Sequence, residues 1–341
     1  MLMARDGEGR WVYAPHMTEE QTATSYYCSQ CGRPLMFKKG SRTIGHFAHF
    51  PNEACERTFS EGETKEHIEG KMQLYEWFQR YVEKVELEPF LPTLSQRPDL
   101  LIGRIPIEFQ CSQISLTLLQ RRTTTYRQHG YEPLWILMTP QRFQGRERVT
   151  SCRITQFQYH FLLNDGDEKQ LITYDPVRER FTYVTLLYHI QGMNYIVSIK
   201  HVPLDDPTIP FADVRVTARE RFEGKHLYDQ KRKEYVYRSV RYNRRGVQHP
   251  LLRSCYEMRL SPFHLPHWIG QPVPHSDAFS EHDLEWQVTW YYYVSTRTRE
   301  EQRALFEQLS PRQRLAVQHY MKRLSKNEAR TAQKVAIDFQ S

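Results

Sequence analysis

Two hydrophobic periods alternate along this chain, and they mark out its elements. In EGETKEHIEGKMQLYEWFQRYVEK the spacing is helical, and Glu63, His67, Lys71, Leu74, Phe78 and Tyr81 fall on one stripe. The second half of that stripe is apolar and predicts packing on a sheet. Its first turns are polar, so Glu63, His67 and Lys71 are expected in a cleft or in water. Two short apolar runs follow, PDLLI and IPIEFQ, around Gly103-Arg104. Glycine at the first central position suits a two-residue type II′ turn. Such a turn pairs Ile102 with Ile105, Leu101 with Pro106, Leu100 with Ile107 and Asp99 with Glu108. Opposed residues share a face with Cβ atoms about 5 Å apart, and Gln110 shares the face of Glu108. Pro106 cannot donate to a ladder, which predicts an edge position or a bulge. SQISLTLLQRRTTTYRQHGY reads as a helix that starts at Ser112 or Ser115 and stops at Gly130, with Arg122 and Tyr126 one turn apart. EPLWILM then returns as a buried strand, completing a strand–crossover helix–strand unit.

Beyond residue 150 the period shortens to that of strands. QLITYDPVRERFTYVTLLYHI holds two runs around Asp175-Pro176, and residues 150–200 read as mainly β. HLPHWIGQPVPHSD, residues 264–277, is Pro-rich and reads as a loop or linker. TREEQRALFEQL and SPRQRLAVQHYMKRLSKNEARTAQKVAIDF read as closing helices, the second with Ser310-Pro311 as cap and first helical position. A chain of 341 residues exceeds one simple core and is expected to hold two or three domains. No run of 18 apolar residues occurs, so no membrane span is expected. The opening MLMARDGEGRWVY turns charged at Arg5 and lacks the apolar region of a signal peptide, which predicts a cytoplasmic location.

Charge changes the picture in one place. The net charge is +7, yet residues 214–253 hold twelve Lys or Arg against four Asp or Glu, and the remaining chain carries 35 basic against 36 acidic residues. Tyr and Phe are interleaved there: Phe222, Tyr228, Tyr235, Tyr237 and Tyr242. Guanidinium groups bind phosphate and aromatic rings stack on unpaired bases. Lys231, Arg232, Lys233, Arg241, Arg244 and Arg245 are therefore candidate nucleic-acid contacts, with Arg122 and Tyr126 beside the hairpin. The alternative is a solvated basic helix followed by a Tyr-rich strand.

Near the N-terminus, YYCSQCGRPLMFKKGSRTIGHFAHFPNEAC offers five candidates for a tetrahedral zinc site: Cys28, Cys31, His46, His49 and Cys55. Cys28, Cys31 and Cys55 are the firmest ligands, and His49, nearer to Cys55, is preferred to His46. Such a site would be structural, since every position is filled by protein. A metal-free unit with HFAHF as aromatic core is the alternative. At the hairpin, Asp99 and Glu108 held face to face need a positive partner, and their hard oxygens suit Mg²⁺ or Mn²⁺.

The order helix, three strands, helix, strand, with Pro98-Asp99 and Glu108-Phe109-Gln110 on the hairpin, resembles the P-D-(D/E)-x-K nuclease superfamily. More narrowly, YYCSQCG, KKG, HFAH, E-x3-H-x3-K-x2-L at 63–74, RPDLL, IEFQCSQIS, R-x3-Y at 122–126 and LWIL resemble the CoiA competence proteins over residues 26–138, and HLPHWIGQPVP with EWQ at 285–287 does so more weakly. The resemblance implies an α+β chain of four parts: a zinc-ribbon-like module at 1–58, an αβββαβ restriction-endonuclease-like core at 59–140, a mainly β continuation at 141–213, and a basic, mixed and helical region at 214–341. It implies action on single-stranded or branched DNA in natural transformation and recombination, with a recombinase of the RecA type as a partner. Glu63, His67, Lys71, Asp99, Glu108 and Gln110 would form the catalytic set. Gln110 departs from the superfamily, which usually carries Lys there. Gln orients water but supplies no charge, and Lys71 would supply it if its stripe faces the hairpin. An inert nuclease fold that only binds DNA is the second expectation. A scaffold that docks an acidic protein is the third.

Overall fold

The computed structural model describes residues 1–18, 25–40, 43–51, 64–165, 168–205 and 211–338. The chain divides into two compact units: Met1–Arg146, Leu171–Tyr183 and Lys200–Val214 form the first, and Glu147–Gln170, Val184–Ile199 and Arg215–Ser341 the second.

The first unit opens with five strands, β1 (Met3–Arg5), β2 (Trp11–Tyr13), β3 (Tyr26–Tyr27), β4 (Pro34–Gly40) and β5 (Thr43–His49), in the order β2-β1-β3-β4-β5. β4 and β5 form a hairpin that sets Leu35 opposite His49 and Phe37 opposite Phe47. Then come α1 (Lys65–Gln79), β6 (Glu86–Leu87), β7 (Leu100–Ile102), β8 (Ile105–Gln110), α2 (Leu116–Gln128) and β9 (Leu134–Met138). This is the expected αβββαβ order. The hairpin register is also the predicted one, with Leu100 on Ile107, Leu101 on Pro106 and Ile102 on Ile105. Gly103 takes φ +57°, the left-handed conformation that a type II′ turn requires of its first central residue.

Two local expectations change, and one left open between two residues is decided. β8 is interior, paired antiparallel with β7 and parallel with β9. Pro106 is tolerated there because pairing with β9 begins only at Ile107. Ser115, not Ser112, caps α2, its hydroxyl accepting the Leu118 N–H at 3.2 Å. Tyr81 lies beyond the end of α1 and is exposed, while Ile68 and Trp77 join Leu74 and Phe78 in the core.

α1 starts where the Thr64 hydroxyl accepts the His67 N–H. Its packed face meets Phe109 of β8 so closely that a Cβ on Gly70 would lie 2.3 Å from that ring. Gly70→Ala, which stabilises most helices, is therefore expected to destabilise this unit by about 1–3 kcal/mol, read as a lower denaturation midpoint.

After β9 the chain forms β10 (Arg148–Arg153), α3 (Gln156–Tyr159), β11 (Leu162–Asp165) and the long strands β12 (Glu168–Asp175), β13 (Arg180–Gln191) and β14 (Asn194–Pro203). Residues 150–200 are thus mainly β, and Asp175-Pro176 opens the β12–β13 turn as expected. In the first unit β12 extends the hairpin sheet by pairing parallel with β9. In the second unit β10 pairs antiparallel with β14. That unit continues as α4 (Ala218–Arg241), α5 (Pro250–Glu257), α6 (Asp283–Thr296), α7 (Arg299–Glu307) and α8 (Pro311–Asp338). The Tyr-rich strand does not form. Tyr235 and Tyr237 lie in α4, because Gly224, Tyr228, Val236 and Ser239 share a buried helical face. A Thr217/Glu220 capping box starts this helix.

Candidate active site and metal centre

β7, β8 and α1 bring four of the six predicted catalytic residues into one cluster, with Lys71 and Glu108 buried and His67 and Asp99 partly so. Asp99 stands just before β7. Its Oδ2 accepts the Phe109 N–H at 2.8 Å and lies 3.3 Å from His67 Nε2. Its Oδ1 lies 3.5 Å from Lys71 Nζ. Burial alone would raise the Asp99 pKa, but the His67 and Lys71 charges with the Phe109 N–H outweigh it and hold the carboxyl well below its usual range. Glu108 is buried in β8. Burial, with the Asp99 charge nearby, raises its pKa against the pull of Arg122 and Tyr126. Each of the two acids therefore has protein partners: His67 and Lys71 at Asp99, Arg122 at Glu108.

Arg122 and Tyr126, both on α2, reach the same acid. The Arg122 guanidinium pairs with Glu108 Oε1, and the Tyr126 hydroxyl donates to that oxygen at 2.6 Å. Arg122 also stacks over Trp135 at 5.1 Å. Both residues were expected on nucleic acid; their one-turn spacing carries them to Glu108. Gln110 sits two residues along β8 from Glu108, with its Nε2 donating to Ser112 O at 2.8 Å and its side chain partly exposed. Glu63 and Cys55 lie outside the described residues.

Sequence reasoning missed Glu88. It is 2% exposed, and its Oε1 meets Lys71 Nζ at 2.5 Å. Its Oε2 accepts the Leu2 and Met3 N–H groups at 2.9 and 3.2 Å. Its backbone is left-handed, φ +48°, directly before Pro89. That is a strained position, and such positions persist where their surroundings over-determine them. The available signal was an acid inside the apolar run VELEPFL, ahead of a proline.

In the N-terminal module, Cys28, Cys31 and His49 place their ligand atoms within 4.8 Å of one another. The Gln30 N–H points at Cys28 Sγ (3.5 Å), and Gly32, φ +69°, closes the knuckle by donating to Cys28 O. Strand alternation puts Phe47 and His49 on one face of β5 and His46 on the other, where its Nδ1 meets Ile44 O. Two thiols and an imidazole fit a tetrahedral ion with room for a fourth ligand.

The remaining candidates belong to the second unit. Arg232 gives its guanidinium to Ile269 O at 2.9 and 3.3 Å, and Lys231 pairs with Glu234. Lys233, Arg238 and Arg241 in the C-terminal part of α4, and Arg244 and Arg245 just after it, are exposed. Tyr237 (50% exposed) and Tyr242 (69%) stand among them, ring centroids 6.1 Å apart.

Residues 63–213 match the family model described as "Competence protein CoiA, nuclease-like domain", and residues 14–58 match "Competence protein CoiA, N-terminal domain". A "Competence protein CoiA" of Bacillus subtilis (strain 168) is 27% identical over 280 residues, covering 79% of this chain and 72% of that protein. No solved structure matches. Among the described residues, no helix is long and apolar enough to cross a membrane.

Proposed function

The chain belongs to the CoiA competence-protein family, and on that premise we propose that it is a divalent-metal-dependent DNA nuclease of the cytoplasm, acting on single-stranded or branched DNA during natural transformation. The observation that carries this reading is the convergence of Asp99, Glu108, His67 and Lys71 on one end of the β7–β8 hairpin. Asp99 and Glu108, with Glu63, would hold Mg²⁺ or Mn²⁺, which when bound polarises the phosphate and lowers the pKa of a water. Lys71 is 1% exposed and out of reach of a substrate, so it acts by holding Asp99. His67 orients the other oxygen of that carboxylate. Gln110 takes the water-orienting role: Ser112 anchors its Nε2 and leaves Oε1 as an acceptor. Cys28, Cys31 and His49, with Cys55, would hold a structural zinc ion.

A second reading rests on the second unit. There, exposed Lys233, Arg238, Arg241, Arg244 and Arg245 surround two exposed tyrosines, a pattern suited to single-stranded DNA. It serves the nuclease as a substrate-binding surface and stands alone if the site is inert. Incubation of single-stranded, duplex and branched DNA with the full chain separates the two. Cleavage with Mg²⁺ or Mn²⁺ that stops with EDTA supports the nuclease. Salt-sensitive binding without cleavage on any of these substrates overturns it in favour of the second reading.

A further inference from the structure

Glu88 touches neither proposed metal position, yet it joins two parts of the first unit that the chain keeps far apart. Its Oε1 meets Lys71, which reaches on to Asp99, and its own N–H donates to Asp99 O at 2.9 Å. Its Oε2 takes two consecutive backbone N–H groups, those of Leu2 and Met3. The same segment is tied to β5. The Met1 nitrogen donates to Phe47 O at 3.1 Å, and the Phe47 N–H donates to Met1 O at 2.8 Å. Phe47 is two residues from His49, on the same strand face. A path of short backbone segments, hydrogen bonds and two ion pairs thus runs from the Cys28–Cys31–His49 centre through Phe47, Met1, Leu2 and Met3 to Glu88, Lys71 and Asp99.

We propose that Glu88 is a positioning residue that makes the placement of Lys71, and through it Asp99, depend on the folded, metal-loaded state of the N-terminal module. A buried carboxylate with one oxygen on backbone N–H groups has little freedom left for the other. Lys71 therefore sits where the module puts Glu88. If residues 1–3 detach, Glu88 Oε2 loses both donors in a site closed to water, and its strained backbone loses part of what holds it. Linkage is reciprocal, so removing the Glu88 carboxylate must also loosen the module and its metal. The catalytic consequence rests on the nuclease reading; the coupling itself does not.

Glu88→Ala alone would take the nearest carboxylate from buried Lys71 and destabilise the unit on that ground alone, so the coupling is read in a charge-free pair. Lys71→Met/Glu88→Gln keeps an acceptor for Leu2 and Met3, and Lys71→Met/Glu88→Ala has none. Amide exchange at Leu2 and Met3 is expected to be about tenfold faster in the Ala variant than in the Gln variant. Its zinc is expected to pass to the chelator 4-(2-pyridylazo)resorcinol about fivefold faster. Equal exchange and equal zinc release in the two variants overturn the proposal. The single variant Glu88→Gln, which retains the hold on Leu2 and Met3, is expected to lower the kcat of Mg²⁺-dependent cleavage by roughly 10–100-fold with KM unchanged. An unchanged kcat overturns the positioning role. If the wild-type chain cleaves no DNA, the nuclease reading fails, and the exchange and zinc measurements still decide the coupling.

Discussion

Asp99→Asn is expected to lower Mg²⁺-dependent cleavage by roughly 10³-fold while DNA affinity changes by less than about threefold. The substitution keeps shape and one acceptor but removes the charge that His67 and Lys71 converge on. It also leaves the exposed basic surface of α4 intact, so binding and chemistry should separate. Gel-based cleavage and fluorescence anisotropy on the same DNA read both quantities. Cleavage at the wild-type rate would remove Asp99 from the mechanism. Glu108 differs because it also supports the fold. Arg122 and Tyr126 both bond its buried Oε1, so Glu108→Ala strands a cation and a hydroxyl. It should cost about 3–5 kcal/mol of stability. Glu108→Leu with Arg122→Met removes both charges and should recover most of that loss while remaining inactive. A double variant no more stable than Glu108→Ala would show that the pair is not the cause.

His282 and Asp283 are expected to give stability profiles of opposite slope when each is replaced. Both are fully buried at the start of α6. His282 Nδ1 accepts the Leu284 N–H, and the ring stacks on Tyr235 at 4.4 Å. Burial, with the Arg232 and His189 charges, pushes its pKa down to about 3. Asp283 accepts from Tyr228 at 2.7 Å and Trp286 at 2.9 Å, and burial outweighs these bonds and pushes its pKa up to about 7. From pH 3 to 6.5 the unfolded chain holds a proton at His282 that the native chain lacks, so this residue makes stability rise with pH. From about pH 4 to 7 the native chain holds a proton at Asp283 that the unfolded chain lacks. Its contribution is therefore complete at acid pH and lost as pH rises through 7. Each slope is about 1.4 kcal/mol per pH unit, and between pH 4 and 6.5 they cancel. Relative to wild type, His282→Asn should lose roughly 3–4 kcal/mol across that range, and Asp283→Asn should gain as much. Urea denaturation at pH 4.5, 5.5 and 6.5 reads the divergence. Parallel profiles for all three proteins would refute it.

Local features of the chain were legible because their causes are local. Gly103 at a two-residue turn between apolar runs specifies the β7–β8 register, since another register would move every side chain to the other face. Leu74 and Phe78 of α1 pack as its period predicts, and Tyr81 falls beyond the helix end. The Tyr-rich strand of the alternative reading does not form because Tyr235 and Tyr237 sit in a helix whose packing rests on Tyr228, Val236 and Ser239. Arg122 and Tyr126 were read by residue type, as phosphate and base contacts. Their placement follows from where α2 lands on β8, which residue type does not contain.

By itself the sequence determined the αβββαβ order, the turn that brings Asp99 near Glu108, and the Cys/His spacing near the N-terminus. Each depends on residues within a few tens of positions, where backbone geometry and periodicity leave few choices. Tertiary structure alone decided which side chains serve which acid, and that Glu88 ties residues 2 and 3 to Lys71. Those outcomes depend on desolvation. A buried charge takes whichever partner the folded chain brings within hydrogen-bond reach, and the 86-residue separation of Leu2 and Glu88 carries no periodic trace of that meeting.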